Sequence, residues 1–146
     1  METGLKTKVL LVDDEEEFIA TLGQRLKARN LKVSTATSGV AAIDLADQQD
    51  FDVVVLDLAM PGMDGFEVLR RIKADHPEAE IIMLTGHGTI ESGVAAMKLG
   101  AEDFLEKPVD ISELLTKIQE ANQKRVLVLQ EKSKVEIEKI LKSKGW

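Results

Sequence analysis

Five short apolar runs, each followed by a stretch with helical spacing, restrict this chain more than any other feature of its sequence. "KVLLV" (8–12), "KVSTA" (32–36), "DVVVLD" (52–57), "EIIMLT" (80–85) and "DFLEK" (103–107) have the length of strands, and most are rich in Val, Ile or Leu. Between them, apolar residues recur at helical spacing: Phe18, Ile19, Leu22 and Leu26; Val40, Ile43 and Leu45; Phe66, Leu69 and Ile72; Ile90, Val94 and Met97. The third pattern stops at Pro77 and the fourth at Gly100, a good C-terminal stop. A fifth helix is expected from near Asp110. Repeated strand–helix units predict an α/β fold, a doubly wound five-stranded parallel sheet with helices on both faces. The near-continuous apolar runs of strands one, three and four suit strands covered on both sides.

The 146 residues suit one domain with a single core, and 44% hydrophobic residues can build it. A net charge of -7 argues against nucleic acid or an anionic membrane as the partner of the whole surface. There are no cysteines, so disulfides, thiol catalysis and cysteine-ligated metals are excluded. No apolar segment approaches membrane-spanning length, and the opening "METGLKTK" has no signal-peptide core. The expected location is the cytoplasm.

In open parallel sheets the functional crevice lies at the carboxyl ends of the strands. Here strand one ends in Asp13 and Asp14, strand three in Asp57, strand four in Thr85 and strand five in Lys107. Three converging carboxylates cannot all stay ionised without a large energetic cost unless a cation joins them. Oxygen ligands alone point to a hard divalent ion, Mg²⁺, which keeps waters and accepts phosphate oxygens. In such a site an Asp carboxylate can be the nucleophile of phosphoryl transfer. Lys107 can pair with one phosphate oxygen and Thr85 can hydrogen-bond another. Glu15 to Glu17 fall in the first turn of helix one, where the helix dipole favours negative charge by roughly 0.3–1 kcal/mol each at best.

The pieces "LLVDDE" (10–15), "DVVVLDLAMPGMDG" (52–65), "LTGHGT" (84–89) and "GAEDFLEKP" (100–108), in this order and spacing, resemble the receiver domain of two-component response regulators. The resemblance covers residues 7 to about 122. It implies a flavodoxin-like sheet of order 2-1-3-4-5 and a phosphorylation-dependent signalling switch in a phosphorelay. Asp57 is then the phosphoacceptor. Asp13 and Asp14 organise Mg²⁺, with Asp14 and Asp57 as direct ligands and the Ala59 carbonyl completing the set. Thr85 is the switch hydroxyl, Phe104 the aromatic that turns inward with it, Lys107 the phosphate-pairing lysine and Pro108 the proline that follows through a cis bond. The donor is a sensor histidine kinase or a histidine phosphotransfer protein, and the output surface is formed by the fourth helix, fifth strand and fifth helix. Such a protein is no enzyme beyond its Mg²⁺-dependent self-phosphorylation and slow self-dephosphorylation. The residues flanking the path of hydrolytic water are Ala59 and His87 in this pattern. Ala59 has no polar group to hold that water, whereas a neutral His87 can accept a proton from it.

Two other readings share parts of this pattern. An aspartate-nucleophile phosphatase of the haloacid dehalogenase type wants a second Asp two residues after the nucleophile, as general acid, and Ala59 stands there. A flavodoxin-like cofactor binder needs a hydroxyl- and glycine-rich phosphate loop after strand one, where this chain has five carboxylates.

The expected receiver ends near residue 122, and residues 123–146 form a helical extension or linker. That segment carries net +4, leaving -11 on the remainder. Leu115, Ile118, Asn122, Val126, Leu129, Ser133, Ile137 and Ile140 recur three and four apart, which predicts one long helix from about 111 to 142. Its apolar stripe is expected to meet a second copy or an effector. The segment is too short for a helix-turn-helix module, so no direct nucleic-acid binding is expected of it. "LTGHGTIESGVAAMKLGAEDFLEKP" is particularly similar to receivers of enhancer-binding transcription activators. The chain is therefore expected to be a stand-alone regulator with such a receiver, or the receiver fragment of a longer activator.

Overall fold

Parallel pairing organises the molecule. The computed structural model describes residues 6–143; the outer ends of the two expected segments, residues 1–5 and 144–146, lie outside the described residues. In chain order the elements are β1 (Lys8–Val12), α1 (Glu16–Lys27), β2 (Lys32–Ala36), α2 (Gly39–Gln48), β3 (Val53–Leu56), α3 (Gly65–Asp75), β4 (Glu80–Thr85), α4 (Ile90–Lys98), β5 (Asp103–Glu106) and α5 (Ile111–Ser143). All four strand pairings are parallel and the order is β2-β1-β3-β4-β5. The predicted strands three and five are each one residue shorter at their carboxyl end, which leaves Asp57 and Lys107 just beyond their strands.

Successive side chains on a strand point to opposite faces, and the two faces build two cores. Leu10, Val12, Val54, Leu56, Ile81 and Met83 pack with α2 and α3 through Ile43, Val68, Leu69 and Ile72, and with Ala96 of α4. Val9, Leu11, Val53, Val55, Ile82 and Leu84 pack with Ile19, Leu22 and Leu26 of α1 and with Leu114, Ile118 and Ala121 of α5. Helix starts follow local chemistry. Ser38 caps α2 by accepting from the Ala41 N–H, Asp64 caps α3 through the Glu67 N–H, and Thr89 with Ser92 forms a reciprocal capping box on α4. Past α4, Gly100 has φ +107°, the left-handed conformation expected of its stop.

Two helical stripes differ from expectation, those of α2 and α4. Val40, expected on the inner face of α2, is 59% exposed; Ala42, Ile43 and Ala46 are buried instead. Ile90, Val94 and Met97 do not enter the core: Ile90 is 88% exposed and only Ala96 of α4 is buried. The alternative face of α4 is built of small residues that approach the sheet closely, so the large side chains are left outside. On α5 the body-facing residues are Leu114, Ile118 and Ala121. Val126, Ile137 and Ile140 of the predicted stripe are exposed.

α5 is one continuous helix of 33 residues, about 50 Å at 1.5 Å per residue. Ion pairs hold its first half to the body: Lys117 to Asp103 at 3.1 Å, Lys124 to Glu102 and Arg125 to Asp52 at 3.0 Å. Asp52 also accepts from the Lys8 N–H at 2.8 Å, which ties α5 to the start of β1.

At the other end of the sheet, the Gly65 N–H donates to the Leu58 carbonyl at 2.8 Å. A Cβ at Gly65 would lie 2.3 Å from the Asp57 carbonyl oxygen and 2.6 Å from Leu58 Cα, both backbone atoms that cannot swing away. Gly65→Ala is therefore expected to lower stability by about 1–3 kcal/mol or more, measured by urea unfolding. A loss within about 0.5 kcal/mol would show that the 57–65 loop yields freely.

Candidate functional site

The carboxyl edge of the sheet gathers the residues expected there. The Asp57 N–H donates to the Val12 carbonyl at 2.9 Å, and the Asp13 N–H donates to the Ala36 carbonyl at 3.1 Å, so both backbones continue the ladder past the strands. Asp13 and Asp57 are buried, and Asp14 is exposed at the rim. One oxygen from each of Asp13, Asp14 and Asp57 lies within 4.8 Å of the others. Asp13 also accepts from the Glu15 N–H at 2.9 Å, a local turn that leads into α1.

Asp57 has a buried Oδ1 with no hydrogen-bond partner among the described residues. A buried carboxylate oxygen left in this state carries the full cost of its lost hydration. A hard cation held by this all-oxygen set would supply the missing partner and offset the neighbouring charges. The donor set therefore suits Mg²⁺.

Thr85 is fully buried; its Oγ1 accepts from the His87 N–H at 3.1 Å, and its carbonyl accepts from the Lys107 N–H at 2.9 Å. The alternation of strand faces sends Thr85 to the α4 side of the sheet and Asp13, Asp57 and Lys107 to the α1 side. Phe104 shares the α4 side. It packs against the larger core, and its ring lies against Gly88 and Gly93 at the start of α4. Beside it, Ile90, Val94 and Met97 line an open apolar groove. Ala59 is exposed in the loop after β3, and His87 is exposed after β4. The peptide bond between Lys107 and Pro108 is cis, as the resemblance to receiver domains implies.

Lys107 is placed less simply than expected. Its Nζ donates to Asp13 Oδ2 at 2.6 Å and to Glu15 Oε1 at 2.8 Å, and it sits 4.2 Å above the centre of the Phe18 ring. The lysine side chain is only 14% exposed. Glu15 and Phe18 are the partners that sequence reasoning misses. Spacing marks Glu15 only as one of several dipole-facing acids and Phe18 only as a core residue. The fold alone brings them to a lysine far along the chain.

The charges respond to this arrangement in different directions. Burial pushes the Asp13 carboxyl above its ordinary value, and the nearby Asp57 adds to the rise; the hydrogen bonds from Lys107 and the Glu15 N–H only partly offset both. Burial works against the charge of Lys107, yet its hydrogen bonds to Asp13 and Glu15 outweigh that and hold its pKa above the usual value. Glu15 is held below its ordinary value, first by the hydrogen bond from Lys107. The pair Asp13–Lys107 is thus unequal: the contact favours the charged lysine, while burial disfavours the charged aspartate.

Known proteins share this fold. Residues 9–119 match the family described as the response regulator receiver domain. The chain belongs to the response regulator receiver family. The C4-dicarboxylate transport transcriptional regulatory protein DctD of Pseudomonas aeruginosa is 40% identical over 129 residues, 88% of this chain and 28% of DctD. A response regulator receiver domain from Clostridium thermocellum superposes with a TM-score of 0.80 at 33% identity, covering 84% of this chain and 98% of that one. NtrX from Brucella abortus, crystallised with ADP, gives a TM-score of 0.83 at 30% identity over 88% of this chain and 30% of its own. The receiver therefore spans less than a third of both DctD and NtrX. No helix among its described residues is long and apolar enough to cross a membrane.

The raised Asp13 pKa has a defined consequence for the receiver without metal. The folded protein keeps a proton there that the unfolded chain has already lost, so for this group stability falls as pH rises through that window. Asp13→Asn removes the loss. Its stability relative to wild type is expected to improve as pH is raised from about 4 to 7. Urea unfolding in the presence of a chelator measures the difference. A difference that stays constant with pH would show that Asp13 ionises alike in both states.

Proposed function

We propose that this receiver takes a phosphoryl group on Asp57 from a phosphohistidine donor, a sensor histidine kinase or a histidine phosphotransfer protein, in a Mg²⁺-dependent reaction. The observation that carries this reading is the buried Asp57 oxygen, which has no hydrogen-bond partner among the described residues and belongs to a carboxylate beside Asp13 and Asp14. Asp14 and Asp57 would hold the ion directly, joined by the Ala59 carbonyl, with Asp13 supporting the set. When bound, Mg²⁺ would supply the positive charge that this edge lacks. An Asp57 carboxylate oxygen attacks phosphorus, the P–N bond of the donor breaks, and the electron pair leaves with the imidazole nitrogen. Lys107 pairs with the phosphoryl group on the α1 side. On the α4 side, Thr85 hydrogen-bonds it and Phe104 turns inward, which alters the surface formed by α4, β5 and α5.

The same residues set the lifetime of the aspartyl phosphate. Ala59 offers no polar group to hold a hydrolytic water behind the phosphorus, so self-hydrolysis is slow, and His87 acts mainly through access. The reading of the chain as the receiver part of a longer transcription activator draws support from DctD, whose likeness extends over 129 residues, beyond the 111 positions of the family match. In that reading residues 123–146 pass the signal from the receiver to the downstream domains of the activator, and the exposed apolar residues of α5 meet a second copy or an effector.

Incubation with acetyl phosphate and Mg²⁺ is expected to add one phosphoryl group, seen by intact mass, and Asp57→Asn is expected to abolish it. Labelling that survives Asp57→Asn would remove Asp57 from its role. Ala59→Asn is expected to shorten the lifetime of the phosphorylated protein several-fold, followed by loss of the added mass over time, with His87→Ala changing it less. A greatly lengthened lifetime in His87→Ala would make His87 a general base and reverse this ranking.

A further inference from the structure

We infer that Glu15 and the ring of Phe18 form a parking site for the Lys107 ammonium, and that an incoming phosphoryl group must draw Lys107 away from Glu15. This rests on the phosphoacceptor reading of Asp57. An ammonium has three N–H donors and no more. Here one goes to Asp13 at 2.6 Å and one to Glu15 at 2.8 Å, and the Phe18 ring face, 4.2 Å from Nζ to its centre, covers the third side. Every direction around the nitrogen is therefore committed before a phosphoryl group arrives.

The partners differ in how readily they let go. Asp13 is 4% exposed, and without Lys107 its carboxylate would lose the ammonium in a dry place. The side chain of Glu15 is 63% exposed, and water can take the place of Lys107 there. Glu15 is accordingly the contact that gives way, and the Phe18 face is left as Lys107 shifts. Glu15 is a positioning residue: it touches no reacting atom and acts through Lys107 alone. It biases the protein toward the unphosphorylated arrangement, because the contact exists only there.

A double-mutant cycle on the full chain tests this, with beryllofluoride and Mg²⁺ as the probe and ¹⁹F NMR titration as the measurement. Glu15→Gln is expected to tighten beryllofluoride binding about threefold, in the range of an exposed ion pair, while Glu16→Gln leaves it unchanged. In the Lys107→Met background the gain from Glu15→Gln is expected to vanish. Phe18→Leu is expected to shift binding in the same direction as Glu15→Gln, again only when Lys107 is present. A gain that persists in Lys107→Met would show that Glu15 acts through its field and overturn the parking site. Weaker binding in Glu15→Gln would show that Glu15 presents Lys107 to the phosphoryl group and overturn it equally. A wild-type chain that takes up no beryllofluoride overturns the phosphoacceptor reading itself, and this inference with it.

Discussion

Parallel pairing of five strands is the constraint on which the rest of this molecule depends. Parallel neighbours cannot be joined by tight hairpins, so each connection runs back through a helix and every strand points toward the same edge. Every strand therefore finishes at that edge, and Asp13, Asp57, Thr85 and Lys107 are collected there although they are spread over most of the chain. The same geometry sorts them. Period-two alternation places the carboxylates and the lysine above α1 and the hydroxyl above α4, so one site touches both layers of the fold.

The site has a cost that the sheet absorbs. Two of its carboxylates are buried, and one of these has an oxygen without a partner among the described residues. The backbones of Asp13 and Asp57 remain hydrogen-bonded to neighbouring strands, which holds the charges in place against their mutual repulsion. Gly65 lets the loop after Asp57 fold back to within contact of Leu58. Stability elsewhere, in two fully apolar cores, carries an edge that is unfavourable in itself until positive charge is added.

Element order and type are legible in the sequence because apolar spacing records the period of each element. The carboxylate cluster is legible because strand ends are marked by where apolar runs stop. Depth is not legible. Ile90, Val94 and Met97 have the spacing of an inward face, yet spacing states only that residues share a face, and the small residues of α4 won the sheet. Val40 departs from expectation for the same reason. The partners of Lys107 are hidden for a different one: Glu15 stands in a run of five similar acids, and nothing local marks which of them will reach across the edge. Residue types therefore locate the site, whereas its resting network of contacts depends on tertiary placement.

The continuity of α5 has a mechanical meaning. Its root packs beneath β4 and is tied to β5, and its ion pairs with the body end at Arg125 among the described residues. From there to Ser143 the helix is an unsupported rod of about 27 Å. A rod turns small angles into large displacements: a tilt of about 10° at Arg125 carries the far end about 5 Å. Any small tilt at the root of α5 is thus magnified along this lever, and displacement is greatest at its tip.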